Sequence, residues 1–244
     1  MAFQTVFKRY ELKYLLTAEQ KEKVLAAIAP YMALDQYGRT TIRNLYYDTD
    51  TYLLIRRSIE KPAYKEKLRI RSYCTVGAES PVFVELKKKY NGVVYKRRLC
   101  LPNRDAMAWL SGQKSSGSDT QIANEIDYFM QLYGILQPTL FLSYEREAYY
   151  CKDGTDFRVT FDDTILCRQE NLSLEADVYG AQLLPDGMTL MEIKCSGGIP
   201  PWMVQMLSKE KIYKTSFSKY GAAYKTLIFP QIHPINLNRR CKNV

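Results

Sequence analysis

The chain has 244 residues, with 35 Lys and Arg against 26 Asp and Glu, a formal net charge of +9. A hydrophobic fraction of 46% allows a sizeable core, and the basic surplus points to an acidic partner: nucleic acid, an anionic membrane or a phosphorylated small molecule. One histidine and six scattered cysteines without C-x-x-C spacing argue against a histidine-based triad, a His-ligated zinc and a disulfide framework.

Residues 5–14 alternate and read as a strand. Thr17 and Gln20 form a capping box for a helix whose apolar face is Val24, Leu25 and Ile28. A strand over 41–48 is followed by a short helix to about Arg57, then by strands Lys67–Thr75 and Val82–Tyr90. Asn91-Gly92 is a hairpin turn into Val93–Leu101. Helices follow at 103–111 and 120–133, the second stopped by Gly134. Strands are expected at 139–150, 156–163, 175–184 and 188–195, with Pro185-Asp186-Gly187 turning between the last two. Pro200-Pro201 opens one helix, and Ser216 opens another that runs to Phe229.

No composition break divides the chain, so one domain over 1–230 with a C-terminal tail at 231–244 is expected. No apolar run approaches the roughly 18 residues of a membrane span, and Met1–Tyr10 lacks the apolar centre of a signal peptide, which predicts a cytoplasmic protein. The hairpin-linked strands predict an α+β fold: a closed antiparallel β-barrel of about eight strands with helices packed outside.

Alternation sorts the charges. Arg9, Glu11 and Lys13 share a face; so do Arg69 and Arg71; Glu85, Lys87 and Lys89; Lys96 and Arg98; Tyr144 and Arg146; Arg158, Thr160 and Asp162; Glu192 and Lys194. For one strand, a wet face explains such a stripe. In Phe83–Leu86 and Leu190–Ile193 the opposite face is apolar and suited to lie under helices, which turns the charged stripes inward. A charged interior repels itself unless a multivalent anion and a hard cation fill it. Arg grips phosphate oxygens through paired N–H groups, Lys adds a compact charge, and isolated carboxylates suit Mg²⁺ or Mn²⁺.

These residues carry a resemblance. Arg9-Tyr-Glu-Leu-Lys13, Tyr46-Tyr-Asp-Thr49, Lys67-Leu-Arg-Ile-Arg71, Val84-Glu-Leu-Lys87, Ser143-Tyr-Glu-Arg146, Asp156-Phe-Arg-Val-Thr-Phe-Asp162, Met191-Glu-Ile-Lys194 and Phe217-Ser-Lys219 occur in order from about residue 3 to 229. The chain resembles the VTC domain, the polyphosphate polymerase branch of the triphosphate tunnel metalloenzymes, a CYTH-like superfamily. The resemblance implies a basic tunnel that binds a nucleoside triphosphate, ATP being the expected one, and inorganic polyphosphate with a divalent metal. By match, Lys13, Arg69, Arg71, Lys87, Arg146, Arg158 and Lys219 hold the reacting phosphates. Lys96, Arg98, Tyr144, Lys194 and Ser218 bind substrate around them. The match also implies Glu192 as the principal metal ligand, with Glu11 and Glu85 as candidates for metal or for orienting the cations.

Arg9 departs from the Glu-x-Glu-x-Lys first strand of the cyclase and thiamine-triphosphatase branch, which favours the polymerase branch. The resemblance leaves membrane coupling or regulation to a partner protein. A tripolyphosphatase or nucleoside triphosphatase using the same site, and a non-catalytic polyphosphate-binding module, remain the alternatives. An RNA-binding sheet is disfavoured because the 20 tyrosines form no RNP-like stripe, so no nucleic-acid partner is expected.

Overall fold

Three of the local signals close the turns they predict. Thr17 accepts from Gln20 N while Gln20 Oε1 accepts from Thr17 N, starting the first helix. Asn91 and Gly92 both take positive φ, 45° and 87°, and link two ten-residue strands. Gly134, at φ 72°, stops the fourth helix. The computed structural model describes the backbone of residues 7–233 and the side chains of 10–233. Residues 1–6, the Arg9 side chain, Cys241 and the tail from 234 onward lie outside the described residues.

The strands are β1 (Phe7–Leu16), β2 (Met32–Leu34), β3 (Thr40–Asp48), β4 (Tyr64–Tyr73), β5 (Pro81–Tyr90), β6 (Val93–Pro102), β7 (Gln137–Cys151), β8 (Phe157–Arg168), β9 (Ala181–Gln182), β10 (Thr189–Cys195) and β11 (Lys214–Thr215). The helices are α1 (Ala18–Ile28), α2 (Leu53–Ile59), α3 (Asn103–Leu110), α4 (Gln121–Tyr133), α5 (Pro201–Lys209), α6 (Lys219–Ala223) and α7 (Phe229–Ile232). A π-helical turn, Tyr224–Ile228, joins the last two, so the helix expected from Ser216 begins later, with Ser218 as its cap.

The expected closed barrel of about eight strands is corrected. The described strands form one eleven-stranded antiparallel sheet in the order β2-β7-β3-β4-β5-β6-β1-β10-β8-β9, with β11 on β1 and a second pairing of β7 with β8. The short strands β2, β9 and β11 each pair on one side only and leave edges that a simple closed barrel lacks. Register shifts at Tyr46/Tyr47 and Ser143/Glu145 bend the long strands, and the sheet curls around a charged tunnel. Alternation reports a face, not how many neighbours a strand has or where pairing ends.

A second correction concerns 175–184, of which only Ala181–Gln182 is strand. Arg43 Nη1 donates to the carbonyls of Leu174 and Ala176, at 3.1 and 2.6 Å. Arg168, sandwiched between Phe141 and Tyr179, donates to the carbonyls of Glu170, Asn171 and Tyr179. Within the segment these two guanidinium groups satisfy the carbonyls of Ala176 and Tyr179 in place of a ladder.

Helices cover the outer apolar faces. Leu68, Ile70, Val84 and Leu86 pack with Trp109 of α3 and Ile126 and Phe129 of α4. Val159, Phe161, Met191 and Ile193 pack with Val24 and Ile28 of α1 and with Met203 and Leu207 of α5. A third cluster lies on the tunnel face, where Tyr46 is opposite Arg69 and Leu142 is opposite Asn44: Tyr46, Leu140 and Leu142 pack there with Ile55, Tyr220, Tyr224 and Ile228. Each such side chain contributes roughly 1.5–3 kcal/mol by burial. With the outer face of the strands committed to the first two clusters, the period of two leaves the charged stripes facing inward. No helix among the described residues is long and apolar enough to cross a membrane.

Candidate functional site

Glu85 organises one cluster. Its side chain is 1% exposed, and Arg69 meets one of its oxygens through both Nε (2.9 Å) and Nη2 (2.7 Å). Lys96 lies 2.5 Å and Arg98 3.4 Å from the other oxygen, and Arg71 Nε stands 3.9 Å from the first. Burial would raise the Glu85 pKa, but Arg71, Lys96 and Arg69 hold the carboxyl well below its usual range. Secondary partners fix the guanidinium planes: Arg69 donates to Tyr46 Oη (2.9 Å), and Arg71 donates to Asn44 Oδ1 (2.9 Å) and Tyr144 Oη (3.0 Å).

Two carboxylates organise the second cluster. Arg146 grips Asp162 bidentately, at 2.6 and 2.7 Å, and Lys219 pairs with the same carboxylate. Burial opposes ionisation of Asp162, yet Arg146 and Lys219 lower its pKa to about 2. Glu192 lies 3.0 Å from Lys194, 3.4 Å from Lys13 and 4.0 Å from Arg146. Here too burial is outweighed, by Lys194, Lys13 and Lys219, and the carboxyl stays well below its usual range. Tyr144 joins the clusters: Arg71 reaches its hydroxyl, while Arg146 and Lys219 stand over its ring at 4.9 and 4.4 Å.

The remaining cations fill the space between. Lys87 pairs with Glu11 at 2.7 Å, and Lys13 donates to the Phe217 carbonyl at 3.0 Å. Lys67 donates to Ser218 Oγ at 3.1 Å and has no carboxylate partner among the described residues. Burial drags its pKa down, Lys13, Lys87, Lys65 and Arg69 add to the effect, and the value falls to about 7. Lys96 is also brought to about 7, by burial first, with Arg71, Arg69 and Arg98 outweighing the help of Glu85. Arg158 stacks on Tyr150 at 4.5 Å beside Lys194, and its buried Nε has no hydrogen-bond partner among the described residues.

A pH dependence follows from Lys67 and Lys96. Both are charged below about 7 and lose charge as pH rises through that value. An anion stabilises the charged forms, so binding just above neutrality takes up protons and affinity falls as pH rises. Calorimetry of tripolyphosphate binding in buffers of different ionisation heat should show this uptake, reduced in Lys67→Met. Equal uptake in wild type and variant would show that Lys67 does not titrate on binding.

A family model described as the VTC domain matches residues 8–228. The chain belongs to the VTC domain family. It is 24% identical over 277 residues to vacuolar transporter chaperone complex subunit 4 of Trypanosoma brucei brucei, an alignment that covers 91% of this chain and 35% of that protein. The chain therefore spans about a third of that relative's length. Among solved structures, a Bacillus halodurans protein described as a candidate adenylate cyclase superposes with TM-score 0.58 at 14% identity, covering 88% of this chain and 96% of that one. A Hippeastrum protein described as a candidate adenylyl cyclase with a dominant triphosphatase activity gives 0.53 at 16%, covering 90% and 95%. These two likenesses show the fold.

Within this VTC domain, the residues expected from sequence at the site face one tunnel. Arg98 and Arg158 lie toward one end, each stacked on an aromatic ring, Phe83 for Arg98 and Tyr150 for Arg158. Sequence reading gave no site role to Lys67, which shares its face with Arg69 and Arg71, or to Asp162, which alternation had already put on the face of Arg158. Alternation puts both on the charged face. It gave no signal for Tyr46, whose hydroxyl holds Arg69. A cleft of about 630 Å³ lies elsewhere, by Tyr31, Lys152, Asp153, Asp156 and Trp202. One lysine against two aspartates does not suit an anion.

The donor set bears on the metal. Among the described residues no three His, Cys, Asp or Glu side chains converge as a ready-made cage. Glu192 and Glu11 are diagonal neighbours, since Lys13 is opposite Glu192 and Glu11 is opposite Lys194, and each carboxylate senses the other's charge. Two hard carboxylates completed by phosphate oxygens fit Mg²⁺ or Mn²⁺. Glu85, enclosed by four cations, is placed to orient them instead.

Proposed function

We propose that this VTC domain is a polyphosphate polymerase, transferring the terminal phosphoryl group of a nucleoside triphosphate, ATP first, to a growing inorganic polyphosphate chain. The observation that carries the reading is Lys67, a buried ammonium surrounded by cations and brought to about 7, which an anion in the tunnel would complete. In the reaction a terminal oxygen of the chain attacks the γ-phosphorus in line. The bond from that phosphorus to the β-bridging oxygen breaks, and the nucleoside diphosphate departs with the electron pair. Such a transfer needs alignment and neutralisation more than covalent help. Arg69 and Arg71, locked by Glu85, Tyr46 and Asn44, clamp phosphoryl oxygens with little reorganisation. Arg146 and Lys219, fixed by Asp162, would face the same charge from the other side of Tyr144.

Glu192 and Glu11 would hold the divalent ion, which when bound supplies further neutralisation of the phosphoryl oxygens. We place the reaction in the cytoplasm, with any membrane coupling supplied by a partner protein. Purified protein incubated with ATP and Mn²⁺, then resolved on a gel that separates phosphate chains by length, should give a ladder. Orthophosphate without a ladder would replace the polymerase with a triphosphatase in which water is the acceptor. ATP bound but unchanged would leave an anion-binding module.

A further inference from the structure

Of the motif Tyr46-Tyr-Asp-Thr49, the phosphate clusters use Tyr46 alone. Asp48 is fully buried, and four donors converge on it. Its Oδ1 accepts from the backbone N–H of Thr49 (2.9 Å) and Leu54 (2.8 Å), and its Oδ2 from that of Ile55 (3.0 Å). Thr49 Oγ1 adds a bond from Leu53 N, and together these groups satisfy the orphan donors that open α2. The fourth donor comes from α6, 172 residues along the chain: Tyr220 Oη reaches Asp48 Oδ2 at 2.9 Å. With three N–H groups on the carboxylate already, α2 does not need this bond.

Tyr220 is held at both ends. Its ring stacks on Tyr46, centroids 4.7 Å apart, and Tyr46 Oη in turn accepts from Arg69. Its hydroxyl lies between Asp48 and Thr139, whose Oγ1 stands 3.1 Å away. The two residues before it are the ones that enter the tunnel: Ser218 Oγ accepts from Lys67, and Lys219 pairs with Asp162. Lys219 has a flexible stem, and Asp162 is shared with Arg146. An anion that draws the ammonium toward itself weakens its tie to Asp162. The backbone at the start of α6 then fixes where the ammonium can reach, and that backbone is anchored one residue on, by Tyr220.

We infer that Tyr220 is a positioning residue, tied to Asp48 so that Ser218 and Lys219 meet a tunnel-bound phosphate at the same place as Arg69. The inference rests on the reading of the tunnel as a phosphate site. It gives Asp48 a part in that site without contact to the anion, as the link between the starts of α2 and α6.

The test is a double-mutant cycle read by binding, without turnover. Dissociation constants for tripolyphosphate are measured metal-free for wild type, Tyr220→Phe, Lys219→Met and the double variant, with a thermal melt of each. Tyr220→Phe keeps the ring and its stack, and Asp48 keeps its three backbone donors, so the fold should stand. The variant should bind tripolyphosphate on the order of tenfold more weakly, the worth of one hydrogen bond to a charged group. In the Lys219→Met background the same change should cost no more than about twofold, because a residue that acts through Lys219 has only Ser218 left to place. Thr17→Ala, which removes the cap of α1 in a different cluster, should lower the melting temperature and leave the affinity alone. Equal losses in both backgrounds, wild-type affinity in Tyr220→Phe, or a matching loss in Thr17→Ala would overturn the inference. A wild type that makes no ladder yet shows the coupling would cost the polymerase reading and keep the positioning role. A wild type that does not bind tripolyphosphate would end both.

Discussion

Glu192→Gln should lower metal-dependent turnover by at least about a hundredfold, while metal-free tripolyphosphate binding stays equal or tightens. The amide keeps the shape of the side chain and removes the charge a hard cation needs. It also frees Lys13 and Lys194, now 3.4 and 3.0 Å from the carboxylate, for phosphate. Opposite signs in turnover and binding separate this outcome from misfolding, which would weaken both. Activity near wild type across a full Mn²⁺ titration would move the metal to other donors.

Glu85→Gln should have the largest effect on stability. The carboxylate is 1% exposed and stands among Arg69, Arg71, Lys96 and Arg98. Removing its charge leaves four cations uncompensated, and breaking one side of a buried charge network costs on the order of 3–5 kcal/mol. For a chain of this length that is a fall in melting temperature of roughly 6–20 °C. Tripolyphosphate should restore much of it, because a ligand at one hundred times its dissociation constant contributes about 2.7 kcal/mol. Sodium chloride at equal ionic strength should restore little, since buried charges are poorly screened. Melting unchanged from wild type, or equal rescue by chloride, would show that Glu85 does not neutralise this wall.

Much of the site was legible because side-chain direction in a strand has a strict local period. Arg69 with Arg71, Lys96 with Arg98 and Glu192 with Lys194 could be assigned a common face from spacing alone. The apolar residues between them, Ile70, Val84 and Ile193, marked the side that helices cover. Capping at Thr17 and the Asn91-Gly92 turn were equally local.

The number and closure of strands were not. β2 and β11 are three- and two-residue pieces with no periodic signal, and in 175–184 the carbonyls of Ala176 and Tyr179 go to Arg43 and Arg168, the first over a hundred residues away. Nor could spacing tell which carboxylate serves which cation. Glu85 and Glu192 look alike on their strands, yet one is enclosed by four cations and the other lies beside Glu11 with its partners at 3 Å or more. Asp162 meets Lys219, and Lys67 meets Ser218, across separations of 57 and 151 residues. The sequence by itself determined the sign of the charge and which residues share a face. Only the tertiary structure decided its pairing, because those distances are set by long-range register, which no local period encodes.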